Sequence, residues 1–220
     1  MRLNKIRESP HQGQPIVRKG VPLNEASAAM VLLHGRGASA EDILGLADEF
    51  GIRGFAYLAP QASDSEWYPF RFLEPVSRNQ PWLSSALEVI GHVLGEISGA
   101  GIPMEQTMIV GFSQGACLAL EFAARHPRRY GGVVGLSGGL IGAVPGPYGE
   151  GSLLGTPVFL GCSDVDPHIP SERVDLSARL LQLQGGQVTE ILFPEMNHTI
   201  NEEELAVVRS IMIDLLRTGN

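Results

Sequence analysis

Two hydrophobic periods take turns along this chain. Ala29-Met30-Val31-Leu32-Leu33 is a continuous apolar run that predicts a buried strand, followed by the turn His34-Gly35-Arg36-Gly37. A helix is expected to start near Ser39, whose side chain can cap it, with Glu41 and Asp42 in the first turn, where the helix dipole favours acids. Its apolar positions Ile43, Leu44, Ala47 and Phe50 fall on one face. Phe55–Ala59 predicts a second strand, and residues 60–80 a long loop rich in Pro, Ser and aromatics. Pro81 suits a first helical turn; Leu83, Leu87, Ile90, Leu94 and Ile97 then form a helical stripe up to the stop Gly99-Ala100-Gly101. Further strands are expected at Thr107–Val110, Gly132–Leu136, Pro157–Gly161 and Val188–Phe193. Helices are expected over Gln114–Arg125, about Ser171–Leu183, and Asn201 to about Leu216.

Strands that read as unbroken Val/Ile/Leu runs, alternating with amphipathic helices, argue for a mostly parallel sheet with helices on both faces, a three-layer α/β/α sandwich. The 220 residues fit a single domain over 1–220, with residues 1–20 read as an irregular N-terminal segment broken by Pro10 and Pro15. That segment lacks the apolar core of a signal peptide, and no later run is apolar long enough to span a bilayer, so no stable membrane insertion is expected. The formal net charge of -8 comes without a basic cluster, which disfavours a nucleic-acid partner. Cys117 and Cys162 both sit in apolar segments and read as free buried thiols of a cytoplasmic protein.

Chemistry enters at Gly111-Phe112-Ser113-Gln114-Gly115, a G-x-S-x-G match between an expected strand and an expected helix. With 27 glycines in the chain the pattern alone is weak, and Gly135-Leu136-Ser137-Gly138-Gly139 matches it too. The residues downstream separate the two copies. After Ser113 comes the strong helix former Ala116–Arg125, whereas after Ser137 come Gly142, Pro145, Gly146 and Pro147. A nucleophile elbow needs strand, sharp turn and helix, so Ser113 is the expected nucleophile and Ser137 a structural or pocket-edge residue.

A serine hydroxyl needs a base, and the base an orienting acid, in the chain order Ser, acid, His for such an elbow. Of the six histidines, His11, His34 and His92 precede Ser113, and His126 ends the helix after it. His198, after the last strand and before the terminal helix, stands at the expected position; His168 is the other that comes late enough. Asp164 and Asp166 follow the penultimate strand, and either can hold the imidazole. Their D-x-D-x-H run could also be a metal site, but it has no further ligand cluster, and no metal is expected. Oxyanion donors are expected from the N–H of Gln114 and, on the early loop, of Arg36.

These segments resemble the phospholipase/carboxylesterase branch of α/β hydrolases, which includes acyl-protein thioesterases. The matching pieces are Leu33–Gly37, Trp67-Tyr68, Gly111–Gly115, Leu136-Ser137-Gly138, Asp164–Pro170 and Asn197-His198, in family order across residues 30–200. The resemblance implies the α/β-hydrolase fold, Asp166 as the triad acid, and Trp67 beside the active site. Arg36 stands where an apolar residue is usual and Ala38 where Asp is common; this HGRG form resembles the bacterial esterases of the branch, which implies plain ester hydrolysis.

The expectation is a serine carboxylesterase acting on short- to medium-chain esters, with no cofactor and a small-molecule ester as its partner, a homodimer being allowed. Trp67, Tyr68, Phe70, Phe72 and Leu73 of the long loop are expected to wall the acyl pocket, with Ser137 at its edge. A lysophospholipase or acyl-protein thioesterase is the alternative within the branch. A non-catalytic binding protein on a hydrolase scaffold is the alternative from another class. A dienelactone-hydrolase-like enzyme would need Cys at position 113, and a peptidase's added propeller or large lid domain is not expected in 220 residues.

Overall fold

In the computed structural model, which describes residues 9–146 and 148–218, seven strands form one sheet in the order β1-β3-β2-β4-β5-β6-β7. They are β1 (Ile16–Gly20), β2 (Ala28–Leu33), β3 (Phe55–Pro60), β4 (Thr107–Phe112), β5 (Gly132–Leu136), β6 (Pro157–Ser163) and β7 (Gln187–Phe193). β1 pairs antiparallel with β3, and every other pairing is parallel. The helices are α1 (Ala40–Ile43), α2 (Gly45–Phe50), α3 (Trp82–Gly99), α4 (Gln114–Arg125), α5 (Ser171–Leu183) and α6 (Glu202–Thr218).

Each apolar strand run divides between two cores because successive side chains point to opposite faces. Ala29, Val31 and Leu33 of β2 join the core under α3, α4 and α5, while Ala28, Met30 and Leu32 join the one under α1, α2 and α6. Burial on both faces is why these strands read as continuous rather than alternating. The expected start of α1 is a capping box: Ser39 Oγ accepts the Asp42 N–H at 3.1 Å, and an Asp42 carboxylate oxygen accepts the Ser39 N–H at 2.8 Å.

One expectation is corrected. The segment 1–20 is not irregular throughout, because Ile16–Gly20 is the edge strand β1; residues 1–8 lie outside the described residues. β1 covers the edge of β3 with half-buried Ile16 and Val17 and exposed Arg18 and Lys19, too polar a mix to resemble the buried strands.

Strand order reverses between β2 and β4, since β3 and then β1 lie on one side and β5, β6 and β7 on the other. In open α/β sheets the crevice at the carboxyl ends of the strands beside such a reversal is where ligands bind. The loops after β2, β4, β6 and β7 all open at that end.

Candidate active site

The loop that carries Ser113 is built by sterics. Ser113 sits at φ 55°, ψ −117°, a conformation costly for a residue with a side chain, between the end of β4 and the start of α4. The two flanking glycines allow it: a Cβ on Gly111 would run into the Gly115 carbonyl, and one on Gly115 into the Leu33 carbonyl. The Ser113 N–H is held by Leu136 O at 2.9 Å, so the side chain is pushed up at the strand's end.

The structure brings three of the expected residues into one hydrogen-bonded chain. Ser113 Oγ lies 2.8 Å from His198 Nε2, and His198 Nδ1 lies 2.7 Å from Asp166 Oδ2. The Asp166 side chain is fully buried, and its Oδ1 accepts the N–H groups of His168 and Ile169 at 2.8 and 3.0 Å. Burial raises its pKa, but the bonds from His198, His168 and Ile169 outweigh that and hold the carboxyl below its ordinary value. An ionised Asp166 keeps the proton on His198 Nδ1 and leaves Nε2 as the acceptor facing Ser113.

Asp164 does a different job: its Oδ1 accepts the Glu195 N–H at 2.8 Å, tying the Asp166 loop to the His198 loop. The His198 ring is flanked by Phe112, centroids 5.0 Å apart, and by the edge of His168 at 4.9 Å.

The His34–Gly37 turn lies directly against the elbow, since a Cβ on Gly35 would sit 3.4 Å from Ser113 Cβ. Gln114 opens α4, so its N–H has no carbonyl one turn earlier to bond. No protein acceptor takes the Arg36 N–H among the described residues. Both expected oxyanion donors therefore stand unengaged on the two loops beside Ser113.

The cleft over Ser113 has a volume of about 360 Å³ and is lined by Tyr68 to Phe72, Arg36, Cys117 and Ile169, besides the catalytic candidates. Trp67, Leu73 and Ser137 do not line it. Trp67 is fully buried beneath; its indole Nε1 donates to His34 O at 2.9 Å and its backbone N–H to Gln114 Oε1 at 2.8 Å. It braces the loops on either side of Ser113 instead of walling a pocket. Leu73 packs half-buried against the core, and Ser137 is fully buried, with its N–H on Gly161 O at 2.7 Å. Ser137 shares the strained turn of an elbow, φ 54°, without the helix after it. Burial pushes the Cys117 and Cys162 thiols up to about 12, so neither is a thiolate nucleophile near neutral pH.

Three supporting groups have roles that depend on the fold. The Gln114 side chain, besides holding Trp67, donates from Nε2 to Tyr68 O at 2.8 Å. His11, fully buried, accepts the Ser63 N–H on Nδ1 at 3.1 Å and donates from Nε2 to Trp67 O at 3.0 Å, anchoring the 61–80 loop. Burial lowers its pKa, which keeps the ring neutral in this role.

The third is Glu204, at the foot of the His198 loop. Its N–H is accepted by Asn201 Oδ1 at 2.8 Å, and its Oε2 accepts the Asn201 N–H at 2.9 Å, a reciprocal cap on α6. Its Oε1 reaches over Gly161, buried and without a hydrogen-bond partner among the described residues, and burial pushes the carboxyl up to about 7. The folded protein therefore holds this proton to about 7, while the unfolded chain releases it near 4.5, so stability falls as pH rises between those values. Glu204→Gln, which keeps an acceptor for the cap, should remove up to about 3 kcal/mol of that decline. Urea midpoints of both proteins from pH 5 to 8 should separate in the variant's favour as pH rises; parallel curves would contradict the assignment.

Among the described residues, no group of three or more His, Cys, Asp and Glu is placed to hold a metal ion, and no helix is long and apolar enough to cross a membrane. A buried carboxylate, an imidazole and a serine on a strained turn, with free N–H donors beside them, can attack an acyl carbon and stabilise the resulting oxyanion.

Known proteins resemble this chain along most of its length. The family model described as Phospholipase/Carboxylesterase matches residues 16–214. The solved structure of a phospholipase/carboxylesterase from Dyadobacter fermentans superposes with a TM-score of 0.88 at 42% identity, covering 91% of this chain and 96% of that one. The acyl-protein thioesterase 1 of Debaryomyces hansenii is 26% identical over 236 residues, 92% of this chain and 97% of that protein. The acyl-protein thioesterase 1 of Saccharomyces cerevisiae is 44% identical over 73 residues, a match that spans 32% of this chain and only 31% of that protein's length.

Proposed function

Because this chain belongs to the phospholipase/carboxylesterase family, an α/β-hydrolase family, we propose that it is a serine carboxylesterase that cleaves short- to medium-chain carboxylic esters. The observation that carries this reading is the Ser113–His198–Asp166 chain, with bonds of 2.8 and 2.7 Å.

In this mechanism Ser113 Oγ attacks the ester carbonyl while His198 Nε2 takes its proton. Asp166 holds the imidazole tautomer and steadies the imidazolium. The N–H groups of Gln114 and Arg36 receive the oxyanion of the tetrahedral intermediate, and His198 then gives the proton to the departing alcohol. Water, deprotonated by His198, releases the acyl group from Ser113. No step requires a cofactor.

The size of the cleft supports the preference for short to medium acyl chains. About 360 Å³ is near the small end of the ~300–1,000 Å³ usual for ligand pockets. Its wall, Tyr68 to Phe72, is held in place: Arg36 pairs with Glu66 and donates to Tyr68 O at 2.6 Å and Phe70 O at 3.2 Å. Asn79 Oδ1 accepts the Phe70 N–H at 2.9 Å.

The similarity to two acyl-protein thioesterases supports a second reading, hydrolysis of long-chain thioesters or lysophospholipids. A kcat/KM series over acyl length, run with nitrophenyl esters and acyl-CoA thioesters, separates the two. The carboxylesterase reading predicts an optimum at short to medium esters, because a small cleft walled by fixed side chains discriminates at ~1–3 kcal/mol per methylene. A profile still rising at palmitoyl length, or a clear preference for thioesters, would overturn it.

A further inference from the structure

The proposed mechanism leaves one charge in the cleft unused. The residues lining it include Arg36, Arg71, His168 and His198 and no Asp or Glu. Arg36 is engaged by Glu66 and by the Tyr68 and Phe70 carbonyls. Glu74, the acid nearest Arg71 in sequence, is paired with Arg78 at 2.9 Å, and Arg78 also lies over the Phe70 ring at 4.4 Å. Arg71 is exposed, and among the described residues neither a carboxylate nor a carbonyl takes its guanidinium.

The backbone beneath Arg71 is fixed. Its carbonyl accepts the Glu74 N–H at 3.0 Å and Asn79 Nδ2 at 3.3 Å, with Asn79 fully buried. Arg71 thus stands as an unpaired cation on a held segment beside Ser113, in a protein whose net charge is -8. The overall charge repels anions from most of the surface, which makes one local cation in an acid-free cleft discriminating. A guanidinium also matches the oxygens of a carboxylate or phosphate two at a time.

We propose that Arg71 is a specificity-determining residue that receives an anionic group, carboxylate or phosphate, carried by the ester cleaved at Ser113. The apolar part of that ester lies against Phe70, Phe72 and Ile169. The inference rests on the serine-esterase reading of the same cleft.

Two substrate pairs test it and distinguish the sources of the anion. The 4-nitrophenyl ester of glutaric acid, with its free terminal carboxylate, is compared with the matching terminal amide. Glyceryl monobutyrate is compared with and without a phosphate on the glycerol, which moves the anion to the alcohol side. In at least one pair kcat/KM should favour the anionic member by roughly tenfold at low ionic strength, as a charge-assisted hydrogen bond supports. The preference should shrink with added salt. Arg71→Gln should remove it and Arg71→Glu reverse it. Arg53→Gln, at an exposed arginine beside Phe55 and Tyr57 outside the cleft, should keep it. Wild type that cleaves the neutral members as fast as the anionic ones, or a preference that Arg71→Gln does not move, would overturn the assignment and leave the esterase reading standing. Wild type that cleaves neither member of either pair would overturn both.

Discussion

Ser113→Ala is expected to lower kcat on an ester substrate by on the order of 10⁶-fold, the scale seen when a triad nucleophile is deleted. What remains should be the contribution of binding and the oxyanion donors, ~10³–10⁴ over water. Folding should be little affected, because Ala keeps the Cβ that the strained turn already accommodates, and the Ser113 hydroxyl bonds only His198 among the described residues. Ser137→Ala is the control. Ser137 occupies the same kind of turn, at φ 54° against 55°, but lies fully buried with no place in the cleft. Most activity should survive its loss. Steady-state kinetics on one nitrophenyl ester checks both variants, and an inactive Ser137→Ala beside an active Ser113→Ala would reverse the assignment.

The second large effect concerns the acid. Asp166→Asn should cost on the order of 10⁴ in kcat with little change in the fold. The amide can still accept the His168 and Ile169 N–H groups through its oxygen, which leaves its NH₂ facing His198 Nδ1. Nδ1 must then accept, the ring proton moves to Nε2, and Nε2 can no longer take the proton of Ser113. In Asp164→Asn the amide oxygen still accepts the Glu195 N–H, so that variant should keep most of its rate. The two single variants, assayed side by side, distinguish an acid that orients the base from one that joins two loops. A larger loss at Asp164 than at Asp166 would contradict the geometry.

The sequence reveals what is local. α4, α5 and β5 have the bounds expected from apolar period and breakers alone, and Ser39 caps α1 where a helix start is expected. The difference between the two G-x-S-x-G copies is local too, because Gly and Pro after Ser137 deny it a helix whatever packs around it. β1 escaped because an edge strand that adds one half-buried residue to each core, Ile16 on one face and Val17 on the other, needs no long apolar run. The aromatics of the 61–80 loop could be seen to matter, yet their sorting depends on which way each faces. Trp67 turns inward to His34 O, while Phe70, only three residues on, faces the cleft, and no local period distinguishes them. His11 and Gln114 act through partners brought near by the fold, Ser63 for His11 and the Trp67-Tyr68 backbone for Gln114, and no spacing rule encodes those pairs. For Glu204 the cap with Asn201 three residues earlier is a local spacing, but the burial of its Oε1 over Gly161 comes from the fold.

The central claim is that Ser113, activated by His198 and Asp166, is the group that attacks the substrate. A fluorophosphonate probe tests it without any assumption about the ester. It forms a stable bond only with a serine whose hydroxyl is activated beside an oxyanion site, so a binding protein on a hydrolase scaffold should stay unlabelled. Peptide mapping by mass spectrometry should find one adduct per chain, on the peptide holding Gly111–Gly115 and at Ser113 itself. The adduct should persist in Ser137→Ala and vanish in Ser113→Ala. An unlabelled wild-type protein, or an adduct that survives in Ser113→Ala, would contradict the account.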